Sequence, residues 1–122
     1  MNKAVNFHRR LNMTRKAYTK DEVVLCSYIA LYDGALLSEE KISGLEKRSK
    51  GSVKMKVQNI AAMLDDKGFS RNSKVSALAG LPAGASGRET DWDLVSEMIN
   101  IGKSNHWAKC KEIIARAPKQ YS

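Results

Sequence analysis

From Val23 to Tyr32 the chain is apolar at nearly every position, through Val23, Val24, Leu25, Tyr28, Ile29, Leu31 and Tyr32. A helix that is hydrophobic all round is one covered on all sides, so this run predicts a central, mostly buried helix from about Thr19 or Lys20 to Asp33. Thr19 followed three residues later by Glu22 has the form of a capping box, and Gly34 is a natural stop. A second helix is expected after Ser38, a good N-cap. Glu39 and Glu40 suit its positive end, and Lys41 stands where a full capping box would need Glu or Gln. Ile42 and Leu45 point it inward, and it ends near Lys47 or Arg48.

After a Ser49-Lys50-Gly51 turn the pattern narrows to a stripe. Val53, Val57, Ile60, Ala61 and Leu64 recur at helical spacing and, at about 100° per residue, fall on one face of a helix from about Ser52 to Leu64. The opposite face holds Gly51, Ser52, Met55, Gln58, Asn59 and Ala62, with Lys54 and Lys56 on its flanks. This is the layout of a recognition helix: an apolar back, amide side chains in the middle, cations at the edges for phosphates. An ordinary amphipathic surface helix would also be rich in Lys and Gln, so this segment alone does not decide between them.

Beyond it, Asp65-Asp66-Lys67-Gly68 breaks the helix, and Ala79 to Gly87 is a small-residue, Gly- and Pro-bearing connection. A short turn near Val75 to Leu78 could pack Val75 and Leu78 on the core. A fourth helix starts at Thr90, buries Trp92, Val95, Met98 and Ile99, and closes at Gly102. A fifth, Ser104 to about Ala117, has Trp107, Cys110, Ile113 and Ile114 inward and stops before Pro118. Nothing alternates as a strand would. The expectation is an all-α chain: a basic arm over 1–18, with some helix around Phe7 to Met13, then a single helical domain over 19–122. That domain comprises a three-helix helix-turn-helix core (19–65), a loop (66–89) and two C-terminal helices (90–117).

Charge sharpens this reading. The 122 residues carry a formal net charge of +8, which favours a polyanionic partner, nucleic acid ahead of an anionic membrane. Residues 1–20 hold Lys3, Arg9, Arg10, Arg15, Lys16 and Lys20 without one acid, and Lys47, Arg48, Lys50, Lys54 and Lys56 gather at the candidate recognition helix. A solvated charge run is the plain alternative for the arm taken alone. Cys26 and Cys110 sit in apolar patterns and read as buried thiols in a reducing cytoplasm. No signal peptide or membrane-spanning run is visible, so a cytoplasmic, nucleoid-associated protein is expected.

Candidate chemistry is thin. His8, His106, Cys26 and Cys110 lack metal-ligand spacing. Cys110 lies between Lys109 and Lys111, which could lower a thiol pKa, yet its apolar helical side favours a core role. Gly84-Ala-Ser-Gly87 lacks the Lys-Ser/Thr ending of a phosphate loop. Trp92 and Trp107 fit a core better than a base-stacking platform. The expectation is no enzyme, no cofactor, no metal and no small-molecule substrate.

The segment Tyr18-Thr-Lys-Asp-Glu-Val-Val-Leu25, with Tyr28, Leu31-Tyr32, Ile42, Leu45 and Arg48-Ser-Lys-Gly-Ser-Val-Lys-Met-Lys-Val-Gln-Asn-Ile-Ala-Ala-Met-Leu-Asp65, resembles the helical domain that precedes HNH nuclease modules in bacterial and phage restriction-like proteins. It is similar, more loosely, to Myb- and SANT-type three-helix modules. Gly87-Arg-Glu-Thr-Asp-Trp-Asp-Leu-Val95 matches the Trp-containing segment downstream. In that family the helix reads Lys-Leu-x-Asn-Phe, and here it reads Lys56-Val-Gln-Asn-Ile60, without the aromatic. With only His8 and His106, the chain carries no nuclease module. The resemblance therefore implies a DNA-binding half without the cutting half, in the style of a phage or mobile-element regulator.

The expected function is double-stranded DNA binding, sequence-specific or structure-tolerant. Gln58 and Asn59 would meet adenine N6/N7, Met55 a thymine methyl, and Ser52 either base type. Arg48, Lys50, Lys54 and Lys56 would hold phosphates, while Arg9, Arg10, Arg15 and Lys16 of the arm enter a minor groove or follow the backbone. Asn59 could equally buttress its own turn. A homodimer, through the C-terminal helices, is one route to specificity. The alternative from another class is a phage or mobile-element adaptor that binds a host protein without touching DNA.

Overall fold

A computed structural model describes residues 18–77 and 89–116. Among these residues the chain is all-helical, with four helices and no strand.

The first helix, α1 (Lys20–Leu31), opens with the expected capping box. The Thr19 hydroxyl accepts the Glu22 N–H at 3.1 Å, and the Glu22 carboxylate accepts the Thr19 N–H at 2.8 Å. Every residue from Glu22 to Leu31 is buried, as its all-round apolar sequence demands. The Ser27 hydroxyl, in the middle of this run, donates to the Val23 carbonyl at 2.6 Å and so needs no partner outside the helix.

The second helix, α2 (Glu39–Glu46), is capped by Ser38, whose hydroxyl accepts the Lys41 N–H at 3.1 Å. It buries Ile42 and ends at Lys47, in the left-handed region with φ 53°. There the Arg48 N–H turns back to the Ser43 carbonyl at 3.1 Å. The third, α3 (Lys50–Asp66), begins earlier than the periodicity alone indicates. Ser49 is its N-cap, taking the Ser52 N–H at 3.1 Å, so Lys50 and Gly51 lie in the first helical turn instead of in the connecting turn. Gly68, at φ 79°, supports the reversal that ends α3, where the Phe69 N–H reaches the Leu64 carbonyl at 2.9 Å.

The chain then runs back along α1. Asn72 donates its backbone N–H to the Ala30 carbonyl at 2.9 Å and its side-chain amide to the Ile29 carbonyl at 3.0 Å, occupying carbonyls near the end of α1. Arg71 braces this strap, pairing with Asp65 and donating to the carbonyls of Asn72 and Val75. Val75 packs on the core as expected. Leu78, and the loop as far as Arg88, lie outside the described residues.

The last helix, α4 (Glu89–Arg116), is broken at Gly102, whose φ of 88° and ψ of 164° no helix contains. Its two limbs correspond to the two C-terminal helices expected from the sequence. Val95 and Met98 in the first, and His106, Cys110 and Ile113 in the second, are buried. Trp92, Ile99, Trp107 and Ile114 pack half-buried at the rim of the core. α1 is the hub, touching α2, α3 and α4. Leu25, Tyr28, Ile42, Ile60, Leu64 and Met98 fill the centre, each worth about 1.5–3 kcal/mol of burial where aliphatic. Among the described residues no helix is long and apolar enough to cross a membrane.

Candidate nucleic-acid interface

All five apolar residues of the α3 stripe, Val53, Val57, Ile60, Ala61 and Leu64, are buried at 1% exposure or less. The opposite side faces out. Lys50, Gly51, Lys54 and Met55 are exposed, and Ser52, Gln58, Asn59 and Ala62 are half-buried. Met55, at 51%, is one of the exposed large hydrophobic residues of the described chain. Lys47, on the turn that leads in, is also exposed.

The electrostatics of α3 differ from those of α1 and α2. The N-terminal end of a helix carries a partial positive charge and favours acids. α1 and α2 follow this rule with Asp21 and Glu22, and with Glu39 and Glu40. α3 has no acid in its first turn and instead begins with Lys50, with Lys47 just before and Lys54 one turn on. Three ammonium groups and a helix terminus of the same sign thus share one surface, at a cost to the folded protein alone. Gly51 adds to it. Among the described residues a Cβ built at Gly51 would meet nothing within 4 Å, so none of them requires glycine at this helical position, where it destabilises by roughly 0.5–1 kcal/mol relative to alanine. The outward backbone is left bare.

Two of the expected phosphate-holding cations face the other way. Lys56 is buried at 7% exposure, and its ammonium lies 2.7 Å from an Asp91 carboxylate oxygen at the start of α4. It stands three residues after Val53 and four before Ile60, inside the apolar stripe, and that register carries it inward. Arg48 is spent on Glu22. Its Nε and one terminal nitrogen reach the two carboxylate oxygens, the second at 2.8 Å, and its side chain is 7% exposed. The pairing holds the guanidinium charged, above its already high pKa, chiefly through the hydrogen bonds to Glu22. Neither residue contributes to the outward surface.

Both cations converge on Tyr18. The guanidinium carbon of Arg48 lies 4.1 Å from the Tyr18 ring centroid and the Lys56 ammonium 4.9 Å. The Tyr18 hydroxyl donates to the Ser52 carbonyl, in the first turn of α3, at 2.9 Å. Burial is the main reason its pKa rises. Glu22, Arg48, Tyr18, Lys56 and Asp91 therefore form one polar network tying α1, the α2–α3 turn, α3 and α4 together behind the exposed face. Sequence spacing gives no warning of the Glu22–Arg48 pair, although the register of Lys56 does foretell its burial.

Ser52 shares a hydrogen bond with the Ser49 hydroxyl at 3.0 Å, so its own hydroxyl is partly committed to the cap. Asn59 is half-buried on the same side. Arg9, Arg10, Arg15 and Lys16 lie outside the described residues, as does any helix near Phe7 to Met13. Cys110 is fully buried and its thiol is pushed up to about 12 by that burial, so Lys109 and Lys111 do not activate it. Cys26 is raised further still by the same cause. Among the described residues no group of three or more His, Cys, Asp or Glu could hold a metal ion. Compared with protein-family models, with curated proteins and with solved structures, the chain gives no match.

Proposed function

We propose that this chain binds double-stranded DNA without altering it, with α2, the Lys47–Ser49 turn and α3 acting as a helix-turn-helix. α3 enters the major groove, Lys47, Lys50 and Lys54 hold phosphates, and Met55 and Gln58 face base edges, with Ser52 and Asn59 at the margin. The basic arm, through Arg9, Arg10, Arg15 and Lys16, adds phosphate or minor-groove contacts. The observation that carries this reading is the acid-free, lysine-flanked first half of α3 with Gly51 bare at its centre. Like charges gathered at a positive helix end weaken the isolated protein, and phosphate is the ligand that relieves them. The resemblance of Tyr18–Asp65 to a helical domain found beside nuclease modules supports the same reading. The protein would act as a regulator or targeting half within the cytoplasm, as a monomer with its arm or as a homodimer.

A second reading, an adaptor for another protein, is favoured by a different surface. A cleft of about 410 Å³ lies between the start of α1 and the first limb of α4, lined by Tyr18, Lys20, Val23, Asp93, Leu94 and Glu97 among others. Its acids suit a basic peptide better than a nucleic acid.

Selection of bound fragments from a random duplex pool separates the two. DNA binding predicts recovery of duplexes sharing a short motif, and a Lys50→Ala/Lys54→Ala variant that recovers the same duplexes in much lower yield. Recovery of no duplex by the unaltered protein would leave the adaptor reading standing.

A further inference from the structure

We infer that the outward face of α3 selects a pyrimidine C5-methyl group through Met55, on the base pair next to an adenine met by Gln58. This rests on the duplex-DNA reading above and specifies what its readout surface takes.

Met55 differs from the other exposed large apolar side chains of the described residues. Leu36 and Phe69 are exposed too, at 59% and 42%, but Leu36 sits in the loop between α1 and α2, and Phe69 packs on Trp92 with ring centroids 5.7 Å apart. Met55 stands on a regular helix, on a face otherwise formed by Gly51, Ser52, Gln58 and Asn59, with Lys54 on its flank. Gly51 is the residue one helical turn before Met55, the turn over which a helical side chain leans. It has no side chain, and among the described residues nothing lies within 4 Å of its Cβ position. The thioether is consequently open from the side on which a duplex would approach.

The edges exposed in the major groove are hydrogen-bonding groups with one apolar exception, the methyl on C5 of thymine. 5-Methylcytosine carries the same methyl. A flexible, polarizable thioether fits such a group without needing an exact orientation. Gln58 lies three residues on, about 4.5 Å along the helix axis, close to the roughly 3.4 Å rise of one base step. The two side chains therefore address adjacent pairs. The Gln58 amide has the donor and acceptor that adenine N6/N7 requires.

The test uses a duplex recovered by the selection described above, resynthesised with each thymine in turn replaced by deoxyuridine, which removes only the methyl. One position should lose roughly three- to tenfold in affinity, the worth of one buried methyl group. Met55→Ala should bind the thymine and deoxyuridine duplexes equally, at the weakened level. Placing a G·5-methylcytosine pair at that position should restore binding to Met55 protein where unmethylated G·C does not. At the adjacent pair, 7-deazaadenine, which lacks N7, should weaken the unaltered protein but not Gln58→Ala. Equal affinity for thymine and deoxyuridine at every position, or a methyl preference that survives in Met55→Ala, would overturn the inference while leaving DNA binding intact. If no duplex is recovered at all, both readings fall together.

Discussion

The Lys56 ammonium lies 2.7 Å from the Asp91 carboxylate, and each side chain is only 9% exposed. A cation on the candidate reading helix is thereby turned into a tie between α3 and α4. Removing Lys56 takes this cation from a buried carboxylate, whereas removing both charges leaves no carboxylate behind. Lys56→Met should cost about 3–5 kcal/mol of stability, and combining it with Asp91→Leu should recover much of the loss. Urea unfolding of the parent and the two variants checks this. A Lys56→Met protein as stable as the parent but unable to bind duplex would restore Lys56 to the phosphate-facing set.

Arg48 holds Glu22 with two nitrogens while its guanidinium lies over the Tyr18 ring. Lysine can reproduce the charge but neither the fork nor the flat stacking surface. Arg48→Lys should therefore destabilise by about 1.5–3 kcal/mol, in contrast to Lys50→Ala or Lys54→Ala, which remove exposed like charges near a helix start and should raise the unfolding midpoint slightly.

Gly51 offers a separation of stability from function. Among the described residues nothing occupies the space a Cβ would fill, and alanine is the better helix former. Gly51→Ala should raise stability, by up to about 1 kcal/mol, while weakening duplex binding, because the methyl stands between the helix and the phosphate backbone. Paired thermal melts and binding titrations read both effects; a gain in stability with unchanged affinity would place the duplex elsewhere.

His106 makes folding sensitive to acid. Its Nε2 is 2.9 Å from the Val24 carbonyl, which can only accept, so Nε2 carries the proton. Nδ1 is buried and has no hydrogen-bond partner among the described residues. Burial depresses the folded pKa, with the Val24 hydrogen bond opposing it. The unfolded chain binds a proton near the ordinary histidine value of about 6.5, before the folded chain does. Stability from this site is therefore complete above that value and declines as pH falls from it towards the depressed folded pKa. Urea midpoints between about pH 7.5 and pH 5.5 should fall more for the parent than for His106→Gln, which keeps a donor for Val24 but does not titrate.

Much of the frame was legible in the chain because local rules determine it. The capping box at Thr19 and Glu22, the all-round apolar α1, the break at Gly102 and the buried stripe of α3 each follow from spacing or from one residue's conformational needs. The start of α3 was misplaced because Gly51 reads as a turn residue, whereas the Ser49 hydroxyl captures the Ser52 N–H and draws Lys50 and Gly51 into the helix. The candidate surface was half legible. Lys50, Lys54, Met55 and Gln58 lie outward or partly so, but Arg48 and Lys56 were assigned by charge, and charge does not say which face a long side chain serves. Their partners, Glu22 and Asp91, come from distant parts of the sequence, and no periodicity joins them. His106 gave no signal of its burial beyond its place one residue before Trp107 on an apolar helix.

The central claim is that the lysines of the exposed α3 face neutralise phosphates. Its most direct test is the affinity of a labelled duplex for the intact chain and for Lys50→Ala/Lys54→Ala, followed by fluorescence anisotropy from about 50 to about 200 mM salt. The account predicts a steep fall in affinity with salt for the parent, and a slope shallower by about 1.8 for the variant, two phosphate contacts fewer, with folding unchanged. Absence of binding at about 50 mM salt, or identical slopes for the two proteins, would contradict it.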